Sequence, residues 1–261
     1  PAVLSVDEGG NFVIPLLSGH IGGANGFAKA LAKVIKATPV VTTATDVNKL
    51  FAVDEWAARN NMIINSMKAA KDFAAALVDG QEVGLFTDYP IISALPRQIV
   101  LKDKGVTGLA ITKNRNVKPF DLTVQLWPRN IYLGIGCRRG TTLESIETLV
   151  LPKLKELGID LRTIVGVASV DLKKDEAGLL NFAAKYNWEI SFFAAEELQN
   201  AAGEFSSSDF VKSVVGVSNV CERSAVLAAN NGSIISSKCS LNGVTLAVAE
   251  ADIVLDFEKL S

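Results

Sequence analysis

The chain has 261 residues, with 26 Lys and Arg against 28 Asp and Glu and a single His, so its formal net charge is −2. This length fits one large or two modest domains, and 49% hydrophobic with 21% charged residues excludes a disordered chain. The balanced charge argues against a nucleic-acid footprint, and no apolar run approaches the ~20 residues that span a bilayer. Three widely spaced cysteines fit a reducing, cytoplasmic compartment better than a disulfide framework.

The first half of the chain alternates short strands with helices. It opens at Pro1 directly into a strand, and we expect the natural protein to extend further upstream. Strands are predicted over 2–6 and 11–17, forming a hairpin around the turn at 7–10. A glycine-rich stretch over 18–26 then runs into a helix that ends before Thr38-Pro39, and another strand starts at Val40-Val41. The apolar face predicted for this helix is Ala24, Phe27, Ala28, Leu31, Val34 and Ile35.

The middle of the chain is less regular. Helices are predicted over 53–60 and 66–78, and strands over 83–86, 108–112 and 122–126. The segment 127–130 resembles a linker, and we place a domain boundary there, which gives domains 1–127 and 128–261.

The second half restarts with a buried-type strand over 131–135 and a helix that opens with a capping box, residues 141–144. Pro152 should kink this helix or mark two helices meeting. Further strands are predicted over 164–168, 190–193 and 214–217, and further helices over 175–186, 195–201 and 220–229. Asn242-Gly243 predicts a hairpin between the apolar runs 233–237 and 244–249. The alternation predicts two α/β domains, each a small mixed or largely parallel sheet flanked by helices.

The first strand-to-helix junction that could carry chemistry spans 17–25. Its glycines let the backbone approach a ligand, and free amides at the helix start favour an anion. His20 is the only histidine, so any imidazole acid or base chemistry belongs to it. A tight turn with a half-exposed histidine explains the same residues equally well.

The second junction spans 134–141 and contains three glycines and two arginines. The third glycine comes one residue late for a dinucleotide fingerprint, and no acidic residue follows about 20 residues later to bind a ribose. Arg138 and Arg139 suit carboxylates or phosphates because the guanidinium fork binds oxyanions bidentately. They could equally be solvated surface charges.

The third junction spans 216–224, where Ser218 or Asn219 would cap a helix whose first turn holds Glu222. Glu222 could be a pocket carboxylate at the carboxyl edge of a sheet, or simply a charge that complements the helix dipole. The five charges of 168–176 read as a solvated loop, while Lys238 and Thr245, near the Asn-Gly turn, could point toward the same rim. One histidine and three scattered cysteines cannot form a standard zinc site.

Five segments together resemble the cobalamin biosynthesis protein G family, the cobalt-precorrin-5A hydrolases of the anaerobic vitamin B12 pathway. In chain order they are IPLLSGHIGGANGFAKALAKVIKATPVVTTATD (14–46), GIGCRRGT (134–141), ASVDLKKDE (168–176), GVSNVCERSAVLAA (216–229) and KCSLNGVTLAVA (238–249). The weakest match lies over 87–127. Cys221 departs from the family pattern, where a small residue such as Ala is expected.

The resemblance implies an enzyme that opens the δ-lactone of a cobalt-containing tetrapyrrole and releases acetaldehyde. Cobalt then belongs to the substrate, and no cofactor or metal of the protein's own is expected. The expected partner is the tetrapyrrole, with no nucleic acid and no membrane. Transient contacts with other pathway enzymes and a monomeric or homodimeric state are left open.

Given that reaction, we predict His20 as the general base with Glu222 as the fallback, and the amides of Gly22 and Gly23 as oxyanion donors. The residues predicted to bind substrate are Ser18, Gly19, Gly22, Gly23, Asn25, Thr43, Asp46, Gly136, Arg138, Arg139, Lys173, Ser218 and Lys238. Two alternatives remain: a non-catalytic tetrapyrrole carrier or scaffold, for which His20 is dispensable, and an α/β enzyme with a nucleotide or phosphorylated ligand at 134–140.

Overall fold

The computed structural model describes residues 2–17, 19, 22–42, 48, 50–114, 116–201, 203, 205 and 219–258. It has two compact units: Pro1–Pro128 with Val254–Ser261, the first unit, and Arg129–Ile253, the second unit. Both combine helices with mixed sheets, which confirms the predicted α/β class. No helix in the described part of the chain is both long and apolar enough to cross a membrane.

The first unit begins with a three-stranded sheet, β1 (Val3–Val6), β2 (Phe12–Leu17) and β3 (Thr38–Pro39). Strands β1 and β2 form the predicted antiparallel hairpin, and β3 pairs with β2 in parallel. The strand predicted to begin at Val40 is wrong by two residues: it spans Thr38–Pro39, and the Val40 amide still donates to the Val13 carbonyl of β2 at 2.8 Å. Pro39 lacks a backbone N–H, which suits its place in an edge strand.

Helix α1 (Ala24–Ile35) forms as predicted but packs through a different face. Its buried side chains are small, Ala28 and Ala32 among them, and they pack against Val13 of β2. Phe27 is 56% exposed, Val34 is 79% exposed and Ile35 is 40% exposed, so the predicted apolar face is wrong at these three positions. Alanines let the helix axis approach the sheet more closely than bulky side chains would.

The first unit also holds a five-stranded sheet, in the order β4-β8-β7-β5-β6. Its strands are β4 (Met62–Ile64), β5 (Val83–Thr87), β6 (Ile99–Leu101), β7 (Gly105–Ile111) and β8 (Phe120–Pro128), with helices α2 (Val53–Arg59) and α3 (Met67–Val78). All neighbours are parallel except β4, which runs antiparallel to β8. The helices and β5, β7 and β8 were predicted. Trp127 and Pro128 end β8 rather than forming a linker.

The C-terminal segment of the chain packs within the first unit. Leu255 is fully buried and bridges to Ile91. Phe257 stacks on Trp56 with ring centroids 4.7 Å apart, and the Trp56 indole N–H donates to the carbonyl of Asp256 at 3.0 Å. These contacts tie the last described residues to helix α2.

The second unit is a three-layer structure around one mixed sheet, in the order β11-β10-β9-β13-β12. Strands β9, β10 and β11 are parallel, and the hairpin β12–β13 adds antiparallel to β9. Its elements are β9 (Ile131–Cys137), α4 (Leu143–Glu156), β10 (Ile164–Val170), α5 (Ala177–Lys185), β11 (Glu189–Phe193), α6 (Ala195–Gln199), α7 (Val220–Ala228), β12 (Ser233–Leu241) and β13 (Val244–Glu250). The strand predicted over 214–217 lies outside the described residues.

Local signals set the turn and cap of this unit. Asn242 and Gly243 have φ of 49° and 84°, the left-handed pair that a two-residue hairpin requires, and they confirm the predicted hairpin. Helix α4 is capped by Thr142, whose hydroxyl accepts from the Ser145 amide at 3.3 Å. The predicted capping box is therefore wrong by one residue. The two-helix alternative is wrong as well, because Pro152 lies inside the continuous helix α4.

The two faces of β9 differ in side-chain size, and this positions α7. Leu133 and Ile135 pack in the main core with α4 and α5. A Cβ added at Gly134 would lie 1.7 Å from the Cys221 carbonyl oxygen, so only glycine lets α7 lie directly on β9. The first turn of α7 is thereby brought to the last residues of β9.

Candidate functional site

Arg138 and Arg139 lie just after β9, in a loop that leads into α4. The Arg138 amide donates to the Gly243 carbonyl at 3.2 Å, which joins this loop to the β12–β13 turn. The Arg139 guanidinium donates to Asp175 at 2.6 Å, and this hydrogen bond raises the pKa of Arg139 and lowers that of Asp175. Both partners of this ion pair are largely exposed, and the Arg138 side chain is exposed as well.

A buried carboxylate, Glu176, lies beneath this loop. Its side chain is only 4% exposed, and it accepts from the Gly140 amide at 2.8 Å and from the Lys173 ammonium at 3.4 Å. Lys173 lies in a single 3-10 turn that follows β10. This differs from the solvated loop predicted for 168–176, and Glu176 is not among the predicted site residues. The sequence signal that could have found it is an acidic residue directly before a helix.

Glu222 lies in the first turn of α7 and is buried. Its two carboxylate oxygens accept from the Asn219 side-chain amide at 2.5 Å and from the Lys238 backbone amide at 2.7 Å. Asn219 caps the helix at φ 61°, and its side-chain oxygen accepts from the Glu222 amide at 3.3 Å. The structure therefore brings the predicted residues Glu222 and Lys238 together.

A bulge in β12 explains how Lys238 reaches Glu222. The register passes from Ser236 opposite Val248 to Cys239 opposite Leu246, so two residues of β12 face one residue of β13. A bulge of this kind removes an amide from the regular ladder. The Lys238 amide is then available to the Glu222 carboxylate.

Cys221 and Gly136 complete this part of the second unit. Burial raises the pKa of the Cys221 thiol to about 11, although Thr245 and Lys238 act in the opposite direction. A thiol with that pKa is not a nucleophile at neutral pH. Gly136 makes room for Thr245, whose hydroxyl oxygen would lie 2.6 Å from a Cβ at this position and donates to the Gly136 carbonyl at 3.3 Å.

In the first unit, the described part of the glycine-rich segment folds onto the start of α1. Gly23 has φ 75° and precedes the first helical residue. The backbone N–H of Asn25 donates to the Gly19 carbonyl at 2.8 Å. Asn25 itself is buried, and a Cβ at Gly19 would lie 2.9 Å from its side-chain oxygen. Gly22 is exposed in the turn before Gly23. This close approach to Asn25 is a local reason for glycine at position 19.

The predicted site residues fall into three groups. Those at or near the end of β9 in the second unit are Gly136, Arg138, Arg139, Lys173, Glu222 and Lys238, and those at the start of α1 in the first unit are Gly19, Gly22, Gly23 and Asn25. The remaining ones, Ser18, His20, Thr43, Asp46 and Ser218, lie outside the described residues. The group in the second unit combines guanidinium and ammonium groups, the set that binds carboxylates or phosphates.

A separate groove of about 470 Å³ lies in the first unit between α2 and α3. Its lining is mostly apolar, with alanines, Val53, Met67 and Val78, and it also includes the charged residues Asp54, Lys71 and Asp79. It contains none of the predicted site residues. We therefore take the end of β9 as the better supported site.

Comparison with known families agrees with the resemblance along nearly the whole chain. The family model "Cobalamin synthesis G N-terminal" matches residues 1–46, "Cobalamin biosynthesis central region" matches 51–128, and "Cobalamin synthesis G C-terminus" matches 131–249. The third match lies within the second unit and the first two lie within the first unit.

Curated relatives point the same way. The chain is 31% identical over 268 residues to a cobalt-precorrin-5A hydrolase of Priestia megaterium, covering 95% of this chain and 71% of that protein. It is 34% identical over 264 residues to a cobalt-precorrin-5A hydrolase of Salmonella typhimurium, covering 96% and 75%. Protein CobE of Sinorhizobium sp is 26% identical over 130 residues, 49% of this chain and 84% of that protein. The chain belongs to the cobalamin biosynthesis protein G family and is a hydrolase of cobalamin biosynthesis.

Proposed function

We propose that this chain hydrolyses the δ-lactone of cobalt-precorrin-5A and releases acetaldehyde, giving cobalt-precorrin-5B. The observation that carries the proposal is the similarity, over more than nine-tenths of the chain, to two relatives named cobalt-precorrin-5A hydrolase. The matches to the N-terminal and central family regions support the proposal further, since with the C-terminal match they extend the similarity along nearly the whole chain.

Lactone opening needs a general base for the attacking water and hydrogen-bond donors for the developing oxyanion. We assign the base to His20, the only imidazole of the chain, and the donors to the amides of Gly22 and Gly23. Glu222 remains the second choice as base. Both of its oxygens already accept hydrogen bonds and the residue is buried, so it is poorly accessible to a water molecule. The same imidazole could move the proton that acetaldehyde release requires.

The substrate carries acetate and propionate groups around its ring, so its recognition needs several cationic or amide-rich sites. We propose that Arg138, Lys173 and Lys238 supply the cations: Arg138 follows β9, Lys173 follows β10, and Lys238 lies in β12 with its backbone amide on Glu222. The other predicted binding residues keep their proposed role, and they are Ser18, Gly19, Asn25, Thr43, Asp46, Gly136, Arg139 and Ser218. Cobalt enters with the substrate, so the proposal needs no cofactor of the protein's own.

A cytoplasmic location is part of the proposal. Cys137, Cys221 and Cys239 are all free thiols, as expected for a protein kept in a reducing compartment. Transient contacts with other enzymes of the pathway are compatible with that location.

The test is an anaerobic incubation of the purified chain with cobalt-precorrin-5A, in which released acetaldehyde is trapped by derivatisation. We expect enzyme-dependent acetaldehyde together with the matching mass change of the tetrapyrrole. Tight tetrapyrrole binding without acetaldehyde would favour the carrier. Protection by nucleotides in a thermal-shift assay, with no tetrapyrrole binding, would favour the nucleotide alternative.

Two variants test the residue roles. His20→Ala should abolish acetaldehyde release while leaving the circular dichroism spectrum and tetrapyrrole binding unchanged, and full activity would refute the base assignment. Lys173→Ala should weaken tetrapyrrole binding about tenfold, the size expected when one charge-assisted contact is lost. Lys174→Ala is the matched control, because this neighbouring lysine is exposed, and we expect its binding to stay within about twofold of wild type.

A further inference from the structure

We propose that Glu176 is a positioning residue, which holds the loop 138–141 and the Lys173 ammonium in the geometry that receives a substrate carboxylate. The inference rests on the proposed function, because it gives the cationic group at the end of β9 a defined ligand class. Glu176 does not touch that ligand. It acts through the Gly140 amide and through Lys173, which come from the segments that follow β9 and β10.

The backbone contact fixes the loop. Gly140 has φ 72°, a left-handed conformation that turns the chain, and its N–H donates to one oxygen of Glu176 at 2.8 Å. A hydrogen bond to an ionised acceptor is about twice as strong as one between neutral groups. The Glu176 carboxylate can therefore set the direction in which the neighbouring arginines leave the loop.

Helix α5 packs against the same loop. A Cβ added at Gly178 would lie 2.0 Å from the Thr141 carbonyl oxygen, so the first turn of α5 touches the loop backbone. Glu176 directly precedes α5, and its backbone carbonyl accepts from the amides of Leu179 and Leu180. The Glu176 backbone is thus held at the start of α5, which restrains the position of its carboxylate relative to the loop.

The charge contact fixes the lysine. Lys173 is 15% exposed and Glu176 is 4% exposed, so each would lose solvation without a compensating partner. The neighbouring pair of Arg139 and Asp175 differs, because both side chains are more than 60% exposed and such pairs contribute little. The buried pair, rather than the exposed one, therefore determines where a cation is held at this edge.

The experiment compares Glu176→Gln, Glu176→Ala and the control Glu144→Gln. Glutamine keeps an oxygen acceptor for the Gly140 amide but removes the charge opposite Lys173, whereas alanine removes both. Glu144 is an exposed residue of the first turn of α4, so its replacement makes the same change of charge near the same loop without touching the contacts of Glu176. All variants are made in the full chain, and circular dichroism checks that they fold.

Two measurements are made on each variant: hydrogen exchange at the Gly140 amide, and KM and kcat for acetaldehyde release from cobalt-precorrin-5A. For Glu176→Ala we expect faster exchange at Gly140 and a fall of about 100-fold in kcat/KM, the size associated with a misplacement of about 1 Å. For Glu176→Gln we expect near-normal exchange and a KM raised about tenfold with little change in kcat. Glu144→Gln should match wild type in both.

The inference is overturned if Gly140 exchange is unchanged in Glu176→Ala, or if both Glu176 variants keep the wild-type KM. Should the alanine variant fail to fold, the KM of Glu176→Gln decides alone. If the wild-type chain releases no acetaldehyde, the proposed reaction fails, and the affinity for the tetrapyrrole, followed by absorbance, replaces KM. Weaker binding by Glu176→Gln would then still support the positioning role, and unchanged binding would refute it.

Discussion

Replacement of Gly134 by alanine tests the packing of α7 on β9. The added Cβ would lie 1.7 Å from the Cys221 carbonyl oxygen and 2.9 Å from the Cβ of Ala225, while ordinary contact begins at 3.4 Å. Helix and strand would have to separate by up to about 1.7 Å, and the obstacle is backbone that cannot rotate away. Overpacking of a core costs about 1–3 kcal/mol, and we expect the upper end here. A loss of about 3 kcal/mol should lower Tm by roughly 6–12 °C in a chain of this size.

The assay is urea unfolding followed by circular dichroism, with Gly136→Ala as the matched variant. Gly136 is on the same face of the same strand, but its added Cβ would meet a side-chain atom of Thr245, so we expect a loss of about 1 kcal/mol. Adding Ala225→Gly to Gly134→Ala should restore little, because the contact with the Cys221 carbonyl remains. An unchanged midpoint in Gly134→Ala, or full recovery by Ala225→Gly, would refute the reasoning.

Three further predictions concern single side chains. Burial and the Glu147 carboxylate raise the pKa of the Tyr186 hydroxyl to about 12. The neutral hydroxyl therefore stabilises the fold fully below the unfolded pKa near 10, and this contribution is lost as the pH rises towards 12. In an absorbance titration of phenolate, Tyr186→Phe should lack the step at the highest pH seen in wild type, and an unchanged titration would contradict this. Cys221, with a pKa of about 11, should be the last thiol labelled in the native chain, and mass spectrometry showing early labelling would disprove it. Phe257→Ala should cost about 3 kcal/mol of unfolding free energy in urea, because it removes the ring stacked on Trp56, and a loss below about 1 kcal/mol would argue against that contact.

The elements that could be predicted from the sequence are those defined by neighbouring residues. Asn242-Gly243 can be recognised as a hairpin turn because the required positive φ is a property of those two residues. Strands β4 and β6, of three residues each, were missed because they are defined by pairing with distant strands. The face of α1 was mistaken because periodicity places Phe27 and Ala28 on adjoining positions and does not show which of them faces β2.

The candidate site likewise combines features set by neighbouring residues with features set by distant contacts. The cationic residues of the loop after β9 were found, because their charge and their place after a strand are visible in the sequence. Glu176 was missed, since the burial of one charge among five depends on how closely α5 approaches at Gly178. The contact between Glu222 and the Lys238 amide depends on a bulge whose position only the pairing of β12 with β13 defines.

The two ends of the second unit are joined by two hydrogen bonds. The Ala251 amide donates to the Asn130 carbonyl at 2.8 Å, and the Asn130 side chain donates back to the Ala251 carbonyl at 2.9 Å. A domain whose ends meet can be inserted into another domain, or removed from it, at a small cost in loop entropy. The chain therefore has the architecture of a host domain interrupted by a guest. Such an arrangement should allow the guest to be removed or circularly permuted while Leu255 and Phe257 keep their contacts within the first unit.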